Sequence, residues 1–148
     1  MKISKKCRYG LRALIDLSVN AENKSIVLGT IAERNSISPQ YLEQIFACLR
    51  RAGIVRGLKG SQGGYILNVL PKELTVSAII EALDGSYQVE GEECPEDIHG
   101  QCMTASIQEL VIDPINIQLD QTLKGISLQD LRDRYFQHKG YGQDMYYI

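Results

Sequence analysis

The sequence predicts a mainly α fold with one small β-hairpin. Three observations carry this. Apolar residues recur at helical spacing through most of the 148 residues. Two β-rich runs, residues 54–58 and 65–69, flank a single glycine-rich loop, Lys59-Gly60-Ser61-Gln62-Gly63-Gly64. A late apolar stripe, from Ile107 to Leu123, is wider than a lone surface helix has to bury.

Ser4 is placed to cap a first helix running to about Asn20, with Leu11, Leu14, Ile15 and Ser18 at i, i+3, i+4 and i+7 as its buried stripe. Lys5, Lys6, Arg8 and Arg12 crowd its start, where cations oppose the helix dipole and an outside phosphate would relieve them. A polar turn over 21–25 leads to the apolar run Ile26-Val27-Leu28, a candidate small strand, and residues 30–35 form a short helix. The next helix has the clearest start in the chain. Ser38 is an N-cap, and Pro39 takes the first helical position, where no N–H is needed. Leu42, Ile45, Phe46 and Leu49 make its core stripe, Cys48 packs beside them, and Gly53 is the stop. Gln40, Glu43, Gln44 and Ala47 occupy the opposite face.

Two short helices joined by a tight turn, the second amphipathic with polar residues at its start, form a helix-turn-helix. The hairpin after it reads as a wing. Phosphate-cradling glycine loops open a helix, whereas this loop returns as a strand. Thr75 caps a further helix with Val76, Ile79, Ile80 and Leu83 on its apolar face and Gly85 as its stop. Residues 86–101 read as an acidic loop, and helical patterning resumes at 103. Pro114 is expected to kink or restart that helix. The excess stripe width points to the same helix from a second copy, with Val111, Ile115 and Leu119 at the seam. Ser127 caps a last short helix, and the tail from 138 holds two glycines and ends MYYI. The fold class is therefore a winged helix-turn-helix plus a long dimerisation helix. Its parts are residues 1–84, a cysteine-containing sensor loop at 85–102, dimerisation helices at 103–137 and a tail at 138–148.

Charge also divides the chain, between residues 64 and 65. Residues 1–64 hold eleven Lys/Arg against four Asp/Glu, and residues 65–148 hold five against fourteen. A basic half facing a polyanion and an acidic half with another task fit this split. The apolar content of 44% is ordinary, and no apolar run reaches membrane-spanning length, so a cytoplasmic protein without membrane contact is expected. Four cysteines in a chain of this size do not form a disulfide scaffold. No nucleophile, base and acid fall at a recognisable spacing, so an enzyme is not expected.

Three segments, MKISKKCRYGLRALIDLS, ISPQYLEQIFACLRRAGIV and GLKGSQGGYIL, resemble the Rrf2 family of bacterial transcription regulators. The resemblance is close over about the first 85 residues and holds in outline beyond. It implies a homodimer of winged helices that sets two recognition helices on double-stranded DNA, most simply as a repressor. Ser38, Gln40, Tyr41, Glu43 and Gln44 match recognition-helix positions. A glutamine suits adenine and Glu43 suits a cytosine amino group. Lys59, Ser61 and Gln62 match the wing. Several relatives carry arginine at the place of Lys59, and lysine lacks the planar fork that reads bases. Lys5, Arg8, Arg50 and Arg51 are phosphate candidates.

The resemblance leaves the sensed signal open. Iron–sulfur members of the family carry three cysteines in the loop before the dimerisation helix. This chain has Cys94 and Cys102, separated by seven residues, with His99 between them and Cys7 on the first helix. An iron–sulfur cluster held by Cys94, Cys102, His99 and Cys7 of the partner subunit is one reading. A reversibly oxidised thiol pair is a second, and two idle surface cysteines are a third. The ending MYYI resembles CymR-type members, which control cysteine and sulfur metabolism with cysteine synthase as partner. On that likeness Tyr147 and Ile148 dock in the synthase cleft on a tether loosened by Gly140 and Gly142, or else pack on the dimer.

Overall fold

The structure is a computed structural model that describes residues 2–20, 24–60 and 63–147, with side chains to residue 140. Ser61, Gln62 and Ile148 lie outside the described residues. The elements in order are α1 (Lys5–Asn20), α2 (Leu28–Asn35), α3 (Pro39–Arg51), β1 (Val55–Leu58), β2 (Gly64–Leu67), α4 (Val76–Asp84), α5 (Ile98–Ile107), a π-helical segment (Gln108–Ile112), α6 (Asp113–Lys124) and α7 (Leu128–Tyr147).

Ser4 caps α1 by accepting the Cys7 N–H at 3.0 Å. The buried face of α1 is Cys7, Gly10, Ala13, Leu14, Leu17 and Ser18, while Leu11 and Ile15 are only half-buried. This differs from the expected stripe for a steric reason. A Cβ at Gly10 would run into Leu83 of α4, so the two helices meet closely and small residues occupy the seam. The expected strand at 26–28 shrinks to one bridge, Ile26 with Tyr65, and α2 starts earlier, at Leu28. α2 ends on Ser36 in the left-handed conformation (φ 53°), and the Ile37 N–H reaches back to the Ala32 carbonyl at 3.0 Å. That reach-back bond is the signature of a Schellman-type stop, and it turns the chain into α3 within three residues.

α3 follows its sequence closely. Ser38 Oγ accepts the Tyr41 N–H at 3.2 Å, and Leu42, Ile45, Phe46 and Leu49 are its buried residues. Gly53 follows with φ 76°. β1 and β2 pair antiparallel with Val55 opposite Leu67 and Gly57 opposite Tyr65. Tyr65 exchanges two backbone hydrogen bonds with Ile26 and sets its ring edge-on to Phe46 at 4.9 Å. Gly64 is required at this join, since a Cβ would lie 2.7 Å from the Ile26 carbonyl oxygen. The wing is thereby fixed to the helix-turn-helix body.

The second half departs further from expectation. Asp97 caps α5 by accepting the Gly100 N–H at 2.6 Å, so the helix begins at Ile98 and the acidic loop is shorter than 86–101. Pro114 falls in the first turn of α6, so the helix restarts there as expected. The turn before it widens, with the Asp113 N–H bonding to the Gln108 carbonyl five residues back, and helix continues on both sides. A π-turn is one way a helix accommodates a residue that cannot donate. Ser127 and Asp130 cap α7 reciprocally, at 2.9 and 3.1 Å. α7 then runs to Tyr147 through Gly140 and Gly142 rather than stopping near 137, so the described backbone contains no loose tether. No helix among the described residues is long and apolar enough to cross a membrane.

Candidate nucleic-acid interface

The helix-turn-helix is held by polar pins as well as by its core. Asp16 of α1 accepts from Arg34 Nε at 3.1 Å and from Asn35 Nδ2 at 3.0 Å, and Arg34 also reaches its other oxygen. The Asp16 carboxylate is nearly covered, so this is a shielded, multiply bonded pair that fixes α2 against α1. With α2 fixed, the short turn through Ser36 fixes the start of α3.

That start presents Gln40, Glu43 and Gln44 to solvent, on the side opposite the buried stripe. Ser38 is exposed, but its hydroxyl is already occupied as the cap. Tyr41 is half-buried, edge-on to Tyr9 of α1 at 5.9 Å, with Lys5 Nζ over the Tyr9 ring at 5.4 Å. The first turns of α1 and α3 therefore form one surface. Arg50 and Arg51 are exposed at the C-terminal end of α3, where the dipole favours cations, and Lys59 is exposed on the wing. Lys5 and Arg8 are exposed on α1.

One expected phosphate position is already taken. Asp84 of α4 accepts the Ser4 N–H at 3.1 Å and also the Ser4 hydroxyl. The anion at the start of α1 comes from within the chain, so a phosphate would meet α1 through its lysine and arginine side chains rather than through its first N–H groups.

Cys48 is more than core packing. Lys6 Nζ donates to its sulfur at 3.2 Å and Arg51 Nη2 at 3.3 Å. Burial works to raise this thiol, but the hydrogen bonds and charges of Lys6 and Arg51 outweigh it and lower its pKa.

The cysteine set does not fit a cluster within one chain. Cys94 is exposed on the loop, while His99 and Cys102 are exposed on α5, three residues apart and so on one face. Cys7 lies fully buried in the core, its thiol pushed up to about 11 by burial and then by Asp84, the reverse of what a thiolate ligand needs. Among the described residues no three His, Cys, Asp or Glu side chains gather as a metal-holding group.

At the expected seam Val111 and Ile115 are exposed, whereas Leu119 packs half-buried against the core. The loop leading to Cys94 is strapped to α6. Val89 donates its N–H to Asn116 Oδ1 at 2.7 Å and accepts from Asn116 Nδ2 at 3.0 Å. Tyr87 bonds Asp120 through its hydroxyl at 2.5 Å. Sequence reasoning missed both straps, and the Asp16 and Tyr9 contacts too, because each joins residues distant in sequence with no local signal. Tyr147 ends α7, and nothing in the described side chains bears on its docking.

Comparison with known proteins agrees with this geometry. The family model named Rrf2, described as an iron-dependent transcriptional regulator, matches residues 3–134. The chain is 35% identical over 133 residues to the HTH-type transcriptional regulator IscR of Aliivibrio salmonicida, covering 88% of this chain and 77% of that one. It superposes on CymR (YrzC), the global cysteine regulator of B. subtilis, with a TM-score of 0.77 and 33% identity over 90% of this chain and 98% of that one. T. potens IscR gives a TM-score of 0.69 and 33% identity, covering 91% and 88%. The chain belongs to the Rrf2 family of transcriptional regulators and has its winged-helix DNA-binding fold.

Proposed function

We propose that the protein is a dimeric repressor that reads a two-fold DNA site with the start of α3 and grips its flanks with the wing. The observation that carries this is the exposed set Gln40, Glu43 and Gln44 on a helix whose other face is wholly buried, set beside a wing locked to the same body. Gln40 and Gln44 suit adenine, and Glu43 suits a cytosine amino group. Lys59, Arg50, Arg51 and Lys5 meet the phosphate backbone and set register. The uncovered apolar side of α5 and α6 supports the homodimer, which spaces the two reading heads. Likeness to a cysteine regulator supports a sulfur-metabolism gene set.

The test is fluorescence anisotropy on an operator selected from random duplexes by the wild-type protein. Glu43→Ala relaxes preference at one base step, by about 1–3 kcal/mol of discrimination. Lys59→Ala weakens all sequences alike and shallows the log–log salt slope by about 0.9 for each phosphate it no longer neutralises. Binding untouched by both substitutions sinks the reading.

For the signal, the accessible pair Cys94 and Cys102 favours thiol chemistry, in which a peroxide removes two electrons and two protons and joins the sulfurs. Mass spectrometry after peroxide treatment checks this, and two thiols that stay reduced oppose it. Docking of Tyr147 and Ile148 in cysteine synthase is tested by removing both residues, and unchanged affinity for the synthase ends that proposal.

A further inference from the structure

α1 carries more charge than reading DNA at α3 requires. Lys5, Arg8, Tyr9 and Arg12 fall at i, i+3, i+4 and i+7, one face of the helix. With Lys2 and Ile3 they line a hollow of about 470 Å³ that contains no carboxylate. The ion pairs among the described residues are Arg34 with Asp16 and Lys124 with Asp120, so none of these four cations is paired with a described residue. Four like charges around one hollow repel one another, and an anion seated among them relieves that repulsion.

The chain holds one segment of matching chemistry. Between residues 90 and 97 stand Glu90, Glu92, Glu93, Glu96 and Asp97, all exposed. No lysine or arginine occurs anywhere from 73 to 123. Among the described residues the Glu92 side chain accepts only the Thr104 hydroxyl, and the Asp97 side chain only caps α5. The sizes agree as well. Lys5 to Arg12 spans roughly 10 Å of helix at 1.5 Å per residue. Residues 92–96, extended, span roughly 13 Å at 3.3 Å per residue.

Placement decides which copy meets which. The stretch leaves the body at Tyr87, is strapped to α6 at Val89, and then runs to the start of α5. It therefore flanks the uncovered apolar side formed by Met103, Ile107, Val111 and Ile115. A dimer closed over that side sets the stretch against the other protomer. We propose that the acidic stretch 90–97 of one protomer docks on the basic face of α1 in its partner, in competition with DNA phosphates. This rests on the dimeric DNA-binding reading. The consequence is regulatory. The loop that holds Cys94 occupies cations that the DNA backbone also wants, so a change at Cys94 that frees the loop strengthens DNA binding.

The test uses the full chain and its selected operator at about 0.1 M salt, where charges about 10 Å apart still act on each other. The variant E90Q/E92Q/E93Q/E96Q, which leaves the Asp97 cap in place, binds DNA about 3–10-fold tighter than wild type. In an R8Q/R12Q background the same four changes give less than twofold. No gain in the wild-type background overturns the proposal. So does an equal gain in both backgrounds, which indicates the general field of the charges and no docking. A second measurement needs no DNA. With C48S and C102S in place, R12C is oxidised by diamide, and a covalent dimer bridged to Cys94 forms that the same chain retaining Arg12 does not form. A bridge only within one chain overturns docking on the partner. If no selected operator is bound at all, the functional reading fails while the covalent dimer still reports on docking.

Discussion

α3 and the long helix of α5 and α6 both carry wide apolar faces, yet the two faces have opposite fates. On α3, Leu42, Ile45, Phe46 and Leu49 are fully covered by the chain itself. On α5, α6 and the π-helical segment between them, Met103, Ile107, Leu110, Val111, Ile115 and Ile117 remain between 42% and 79% exposed. α3 is surrounded by α1, α2, α4 and β1, while α5 packs chiefly against the π-helical segment that continues it. The first region completes its core alone. The second is left uncovered by the described residues, which supports the dimer proposed above.

The most severe way to break this comparison is to exchange the damage. Phe46→Ala opens the covered core and removes the ring on which Tyr65 rests, so it lowers unfolding free energy by about 3–5 kcal/mol. Ile115→Glu leaves each protomer folded but sets two carboxylates together at a two-fold seam, raising the dimer dissociation constant by about 100-fold or more. Urea unfolding followed by circular dichroism reads the first, and sedimentation velocity the second. If Ile115→Glu instead unfolds the monomer, the second region is not independent of its partner.

A smaller effect is expected at the join of wing and body. Gly64→Ala forces a methyl against the Ile26 carbonyl, with an expected cost of about 1–3 kcal/mol. The Ile26–Tyr65 bridge parts while α3 keeps its core, so hydrogen exchange rises at the Tyr65 and Ile26 amides and stays slow at Ile45 and Leu49. Uniformly faster exchange makes the wing part of the core rather than an attachment to it.

How much of this was legible in the sequence follows the same division. Every determinant of α3 is local: the cap Ser38, Pro39 at the first position, a clean stripe, and Gly53 at the end. The second region hides its determinants. Asp97 caps α5 but sits in a run of acids where any one could serve. Pro114 reads as a kink or a restart, but nothing local announces the π-turn that precedes it. α7 crosses two glycines that local preference would use to stop it. In the site, exposed readers on a patterned helix could be found, whereas the Asp16–Arg34 pin and the Tyr9–Tyr41 contact need the folded chain to bring them together.

A pH titration separates the two regions further. Tyr87 straps the second region to α6, and its hydroxyl is pushed up from 10 to about 12, first by its hydrogen bond to Asp120, then by burial and by the charges of Asp120 and Glu81. A raised folded-state value means the strap contributes fully below pH 10 and is lost as pH rises from about 10 to 12, since the unfolded chain ionises first. Wild type is therefore more stable than Tyr87→Phe near neutral pH, and the gap narrows through that window. Melting curves for both proteins across the window check it, and a gap constant with pH means Tyr87 contributes packing alone.

The smallest effect lies in the turn before α3. Ser36 holds φ 53°, a conformation that costs an L-residue about 1 kcal/mol or more and costs glycine little. Ser36 is exposed, and no hydrogen bond of its side chain offsets that strain among the described residues. Ser36→Gly removes the strain but gives the unfolded chain more freedom, so the net gain is about 0.5 kcal/mol. Because the turn belongs to the self-contained region, the gain is the same at low and high protein concentration, whereas any change on the α5–α6 face scales with dimer population. Denaturant midpoints at two concentrations about a hundredfold apart make the comparison. A gain that appears only at the higher concentration ties the helix-turn-helix to the partner and removes the independence of the first region.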